Sequence, residues 1–389
     1  MMTLPDTSKR HQRKVRVLIV TDEMEVGGTQ RQIVHIARGL ARERFEPTVV
    51  YFCNRSFLVD ELERAGVTVV EIRKEHRIDF HFIWKLVKFI DNGRFDVMHC
   101  FSFTGELWGA VVRRLIRPSR RPVLITSVRN KYDWYSRFQW RIKRWTASQS
   151  SRVIANSRSG AEHAAAQIGR EKGLIDVVYN GVGEPSASAI AHPAPSGPII
   201  MALFVGRLVE QKNVPVLLRA MKTLHEKETP VHLRIAGDGP LRKHCDQLIN
   251  EYGLGQAVEL LGERSDVAML MASSDFVVLP SYREGLSNVI LEAMMVGRPV
   301  VASNVGGNAE LVEAMRTGLL FENDNDTDLA QAMLALVMNS GMREAFGAQG
   351  RQRATEHFTV RAMVTSMERF YSLSTITSPS SQKTRLGAA

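Results

Sequence analysis

The sequence predicts an α/β protein built on two doubly wound, parallel-sheet domains. Three observations carry that expectation. Short unbroken apolar runs alternate with longer segments whose apolar residues recur at helical spacing, as in parallel strands buried on both faces and joined by crossover helices. The alternation continues through both halves of a 389-residue chain, which is enough for two domains of ordinary size. Several apolar runs also end in a glycine-bearing turn that leads into a helix, and open α/β sheets bind their ligands outside such strand ends.

Taken in order, residues 1–14 are polar and basic without periodicity and are expected to be disordered. The run Val15–Val20 reads as a first strand, followed by the Gly27-Gly28 turn and a helix over about 29–42. Strand, glycine loop and helix together place Gly28 where free amides would meet a phosphate or a sugar. The third glycine of a dinucleotide fingerprint is absent, which argues against nicotinamide binding. Strands are expected at 48–52, 67–72, 97–100, 123–127, 153–156 and 176–179. These complete a first domain over 15–183.

Residues 184–198 are rich in Ala, Ser and Pro and read as a linker. Strands at 199–205, 232–236, 258–260, 276–279, 299–302 and 318–321 then alternate with helices in a second domain over 199–355. Two helices are expected over 324–351, a terminal helix within 356–371, and a disordered Ser/Thr-rich tail over 372–389. No sequence repeat relates the halves.

A hydrophobic content of 44% with 24% charged residues is that of a soluble globular chain. No apolar run approaches the ~18 residues that span a bilayer, and the first one is too short for a signal peptide, so a cytoplasmic location is expected. Cys53, Cys100 and Cys245 are odd in number and lack metal-ligand spacing, which fits reduced thiols.

The charge is unevenly placed. Between Arg113 and Trp145 stand eleven Lys or Arg against one Asp, a local excess equal to the +10 of the whole chain. Such a concentration points to a polyanionic partner. Within it, Trp134, Phe138, Ile142 and Trp145 fall on one helical stripe flanked by Arg137, Arg141 and Arg144, the pattern of a helix lying on an anionic membrane. The same stripe also suits a helix packed on its own sheet. No recognised nucleic-acid motif accompanies it, so nucleic acid is not the expected partner.

The richest stretch is S-Y-R-E-G-L-S-N-V-I-L-E, residues 281–292, which follows a buried-strand run and opens a helix. Gly285 permits close backbone approach, Leu286 and Ser287 lead into the helix, and Ser287 is a natural N-cap beyond which free amides favour a diphosphate. A phosphate would repel Glu284 in the turn and Glu292 one turn into the helix. Carboxylates suit hydroxyls, so the pair frames a diphosphate with polyols. Arg207 and Lys212, after the first strand of the second domain, supply cations for that diphosphate. A solvated Glu pair around an ordinary cap is the plainer alternative.

The Glu, seven residues, Glu spacing resembles the signature of the retaining GT-B glycosyltransferases of family four. G-G-T-Q-R at 27–31, A-N-S at 155–157, Y-N-G-V at 179–182, V-G-R-L-V-E-Q-K-N at 205–213, A-G-D-G-P at 236–240 and V-G-G-N-A-E at 305–310 are similar to that family's loops, in its order. The resemblance implies two Rossmann-like domains facing across a cleft, with the terminal helix crossing back to the first. It implies a nucleotide sugar, UDP- or GDP-linked, as donor, with Glu292 on the ribose diol, Glu284 on the sugar, and Arg207 and Lys212 on the diphosphate.

Transfer to an acceptor hydroxyl would retain the anomeric configuration. The acceptor would be a glycan or lipid-linked glycan of polysaccharide or lipopolysaccharide synthesis, at the inner face of the cell membrane. No cofactor is expected, and no Asp-x-Asp metal motif stands in the candidate loops. His99, at a strand end, is an acceptor-side candidate or a structural residue. Many relatives carry a His after the fifth strand; here S-V-R-N at 127–130 stands instead, which leaves Arg129 or Asn130 to serve. An epimerase of the same fold and a non-catalytic nucleotide-sugar-binding subunit are the alternatives.

Overall fold

The structure, a computed structural model, describes residues 13–76, 78–169, 175–185 and 197–376, with side chains as far as 373. The two ends expected to be disordered, for the most part, and most of the expected linker lie outside the described residues.

Two parallel sheets form the frame. The first contains β1 (Val15–Val20), β2 (Phe45–Tyr51), β3 (Thr68–Glu71), β4 (Val97–Cys100), β5 (Val123–Val128), β6 (Arg152–Ala155) and β7 (Asp176–Val177), in the order β3-β2-β1-β4-β5-β6-β7. The second contains β8 (Ile200–Val205), β9 (Val231–Ala236), β10 (Val258–Gly262), β11 (Phe276–Leu279), β12 (Val300–Ser303) and β13 (Gly318–Phe321), in the order β10-β9-β8-β11-β12-β13. Each order reverses once, at β1/β4 and at β8/β11, and a doubly wound sheet is open to ligands at the carboxyl ends of the strands on either side of that reversal.

Burial follows from the pleat. Along β11, Phe276 and Val278 join one apolar core while Val277 and Leu279 join the core on the opposite face. Alternate side chains point to opposite faces, so a strand with both faces covered is buried throughout and apolar at most positions. All four residues of β4 and all four of β11 are buried for this reason.

The chain divides into two compact units. One comprises the chain up to Ser127, residues 136–154, and the chain from Val364 onward; the other comprises 128–135 and 155–363. In the first unit the helices Phe80–Gly93, Phe103–Leu115 and Arg137–Gln149 lie side by side on the sheet. The helix Val360–Ile376 enters this unit at Val364. There Glu368 accepts the Ala41 N–H at 2.8 Å, and the fully buried Tyr371 hydroxyl meets His99 Nδ1 at 2.9 Å.

His99 is therefore a core residue. It is 0% exposed, its Nε2 meets Ser127 Oγ at 2.8 Å, and neither ring nitrogen is turned to solvent, so it is not placed to meet an acceptor.

The aromatic stripe also differs from expectation. Ser136 and Gln139 form a capping box that starts the helix at Arg137, so Trp134 lies in the preceding turn. There its ring faces the Arg283 guanidinium at 4.7 Å. Trp145 packs against the first unit's core, and the helix buries Trp140, Lys143 and Ala147. Phe138 is 63% exposed, and Arg137, Arg141 and Arg144 are exposed beside it. The basic stretch is not wholly a surface charge, because Lys143 and Arg129 are buried and hydrogen-bonded.

Candidate active site

The second unit carries Arg207 and Lys212 after β8 and Glu284, Gly285, Leu286, Ser287 and Glu292 after β11, the two strands at which the order reverses. After β8 the chain makes a single three-ten turn, Glu210–Lys212, and then Asn213 takes a left-handed conformation, φ 47°, before the helix Val214–Glu226. This short detour carries Arg207 and Lys212. After β11 comes the loop of Ser281 and Glu284, closed by Ser287, whose hydroxyl accepts the Ile290 N–H and caps the helix Asn288–Met295. The two loops are joined through main chain and side chain: Tyr282 N–H donates to Gln211 O at 2.9 Å, and Gln211 Nε2 donates to Arg283 O at 3.0 Å.

Glu284 is 7% exposed. Its Oε1 accepts Lys212 Nζ at 2.6 Å and Ser281 Oγ at 2.8 Å. A carboxylate this sheltered needs such partners, because burial of an unpaired charge costs several kcal/mol, of the order of 3–5 when a buried pair is broken. Arg207 is exposed and has no ion-pair partner among the described residues. Glu292 lies half-buried in the helix, one turn past its start. Leu286 is a core residue, 5% exposed. Gly28, exposed at the start of the helix Gly28–Gly39, belongs to the first unit.

Close backbone packing explains the glycines. A Cβ on Gly285 would stand 2.2 Å from Arg129 O, so no side chain fits there. At Gly306, after β12, φ is +52° and a Cβ would stand 1.9 Å from Glu284 O. The neighbouring Gly307 N–H donates to Gly285 O at 2.9 Å. The loop after β12 is thus a backing plate for the loop that carries Glu284.

The residues flanking this plate were not singled out from sequence. Asn180, of Y-N-G-V, donates to Leu286 O at 3.2 Å and to Asn288 Oδ1 at 2.8 Å, and accepts Arg129 Nη2 at 2.6 Å. Glu310, of V-G-G-N-A-E, accepts the Arg158 and Ser159 N–H groups, each at 2.8 Å, at the start of the helix Arg158–Ile168. Their motifs were the available signal; their partners, distant in sequence, were not. Arg129 itself is 8% exposed and held on Asn180, so its side chain supports the loop, whereas Asn130 is half-buried with its Oδ1 on the Lys131 N–H.

Comparison with known proteins bears on the fold and the family. The chain is 27% identical over 345 residues to an uncharacterized glycosyltransferase, MJ1607, of Methanocaldococcus jannaschii, covering 82% of this chain and 87% of that protein. It is 35% identical over 178 residues to a second one from the same organism, MJ1178, covering 45% of this chain and about half, 47%, of that protein. Among solved structures, Anabaena Alr3699/HepE in complex with UDP-glucose superposes with a TM-score of 0.80 at 23% identity, over 92% of this chain and 99% of that one. That likeness establishes the fold. The Glycosyltransferase Family 4 profile matches residues 26–183 and the Glycosyl transferases group 1 profile matches 191–353, and on these matches in both halves the chain belongs to the family-4, group-1 glycosyltransferases.

Proposed function

We propose that this glycosyltransferase moves a sugar from a nucleoside-diphosphate sugar, UDP- or GDP-linked, to an acceptor hydroxyl with retention at the anomeric carbon. The observation that carries the reading is the Lys212–Glu284 pair, joining the loops after β8 and β11 at the sheet's reversal, with the exposed Arg207, which has no ion-pair partner among the described residues, on the first of those loops. In this reading Arg207, Lys212 and the amides of the helix Asn288–Met295 hold the diphosphate, Glu284 the donor sugar and Glu292 the ribose diol. The anomeric C–O bond to phosphate breaks, the acceptor oxygen bonds to the same carbon on the same face, and the leaving phosphate takes the acceptor proton. Fixed cations and dipoles aimed at the leaving diphosphate supply the stabilisation.

The acceptor is a glycan or lipid-linked glycan of bacterial-type polysaccharide or lipopolysaccharide synthesis, met at an anionic membrane surface. Supporting this, Arg137, Phe138, Arg141 and Arg144 are exposed on one helix of the first unit. In the same helix layer, Phe80–Gly93 exposes Phe80 and Trp84, with Lys85 and Lys88 lining a groove beside Trp84. Exposed aromatics interleaved with cations match the headgroup region of a bilayer. No helix among the described residues is long and apolar enough to cross a membrane, so contact would be peripheral.

The test has two parts. Nucleoside diphosphate release from a panel of UDP- and GDP-sugars, with and without a lipid extract, should give a product heavier by one sugar. An epimerised donor with no transfer, or tight binding with no turnover, would overturn the reading. Liposomes containing anionic lipid should sediment the protein at low salt, and Arg137, Arg141 and Arg144 changed together to Gln should release it with UDP binding unchanged. Indifference of the wild type to anionic liposomes would remove the membrane from the proposal.

A further inference from the structure

The first unit buries an ion pair that the donor site does not use. Glu106, in the first turn of the helix Phe103–Leu115, is 1% exposed, and Lys143, in Arg137–Gln149, is 3% exposed. Lys143 Nζ lies 2.5 Å from Glu106 Oε1. Burial pushes the Glu106 carboxyl upward and the Lys143 ammonium opposes that push. A pair so buried is poor evidence of stabilisation, since well-packed apolar residues often serve as well, and its presence calls for another account.

Its remaining bonds converge on one residue. Glu106 Oε1 accepts the Ser127 N–H at 3.1 Å, and Lys143 Nζ donates to Ser127 O at 2.8 Å. The paired strand β4 ends at Cys100, opposite Thr126, so Ser127 lies one residue past the end of the ladder on that side. The ion pair supplies a donor and an acceptor where the neighbouring strand has stopped, and His99 Nε2 holds the Ser127 hydroxyl. Every polar group of Ser127 is thereby fixed. The next residues are Val128, Arg129 and Asn130, and Arg129 O is the atom against which Gly285 packs.

We infer that Glu106 and Lys143 are positioning residues, which extend β5 past the end of β4 and fix Ser127, the residue from which the chain runs into the turn 128–135. The inference rests on the proposed function for what that turn serves, and on geometry alone for what holds it.

The test is the charge-neutral double variant Glu106→Gln/Lys143→Met, which avoids a stranded buried charge and keeps an acceptor for the Ser127 N–H while losing the donor to Ser127 O. Hydrogen exchange of the full chain should quicken at least tenfold in peptides covering 127–135 and stay within twofold elsewhere. UDP affinity by calorimetry should be unchanged. With UDP-glucose as probe, kcat for UDP release should fall at least tenfold while KM holds, and Lys143→Arg, which keeps a cationic donor, should recover most of the rate. If the folded double variant exchanges like wild type at 127–135, or if exchange rises throughout the first unit, the pair is structural only and the inference falls. A wild type that neither binds UDP nor turns over UDP-glucose would defeat the functional reading, and the exchange result would still decide the positioning role.

Discussion

Replacing Lys212 by Met tests the Lys212–Glu284 pair directly. The Lys212 Nζ to Glu284 Oε1 distance is 2.6 Å, and the two side chains are 19% and 9% exposed. Removing one partner of a fully buried pair costs about 3–5 kcal/mol. Here Ser281 Oγ still donates to the same carboxylate oxygen at 2.8 Å, and the exposed flank of Lys212 admits solvent, so the cost is reduced to about 2–3 kcal/mol. For a unit of this size that corresponds to a fall in Tm of about 2–4 °C per kcal/mol. Glu284→Gln on the Lys212→Met background should restore most of the loss, because no charge is then stranded. The double-mutant cycle should return a coupling of about 1–3 kcal/mol. Turnover should not return with stability, since both ligand contacts are gone. Urea unfolding of the four proteins supplies the cycle, and UDP calorimetry supplies the binding arm. A single variant costing less than about 0.5 kcal/mol, with no coupling, would mean that the two groups do not meet in solution and that the charge balance drawn for this loop is wrong.

Three further outcomes are expected. Arg207→Ala should weaken UDP by about 1.5–3 kcal/mol and spare uridine, whereas Glu292→Ala should weaken both; calorimetry with nucleoside, monophosphate and diphosphate separates them. Transfer should survive EDTA, because fixed cations offset the diphosphate; complete loss on chelation, restored by Mg²⁺ or Mn²⁺, would contradict this. His35, held neutral by burial and by the nearby Arg31, has its pKa lowered from 6.5 to about 4. The unfolded chain therefore binds a proton that the folded chain refuses, so stability is full above pH 6.5 and declines as pH falls toward 4, by up to about 3 kcal/mol. His35→Gln should flatten that part of the pH–stability curve, and an unchanged slope would show that His35 is not its source.

The strands were legible because a parallel strand with both faces covered is apolar at nearly every position. Val15–Val20, Val97–Cys100, Phe276–Leu279 and Gly318–Phe321 match their expected bounds for that reason. Turn chemistry placed Ser287 at the start of its helix with Glu284 in the turn before it. What sequence could not supply was partnership at a distance. Lys143 reads as one more cation in a basic run until the fold brings it to Glu106, 37 residues away. Arg129 reads as an acceptor-side candidate, and only the fold shows Asn180, 51 residues on, receiving its side chain. The stripe through Trp134 failed for a local reason: a capping box at Ser136 and Gln139 sets the first helical residue, and periodicity cannot see a cap that cuts its own pattern.

The return of the chain to its first unit has a consequence for synthesis. Residues from Val364 onward contribute the fully buried Met367 and Tyr371, and the Tyr371 hydroxyl meets the core His99. On a ribosome, the segment 155–363 has all been translated before Tyr371 is added. Until then the first unit lacks the buried Met367 and Tyr371, and His99 Nδ1 lacks the Tyr371 hydroxyl. The part of the protein made first is thus finished last. During that interval its open core is the surface a chaperone would meet, and a chain cut short between residues 363 and 371 would lack the Met367 and Tyr371 side chains that close it.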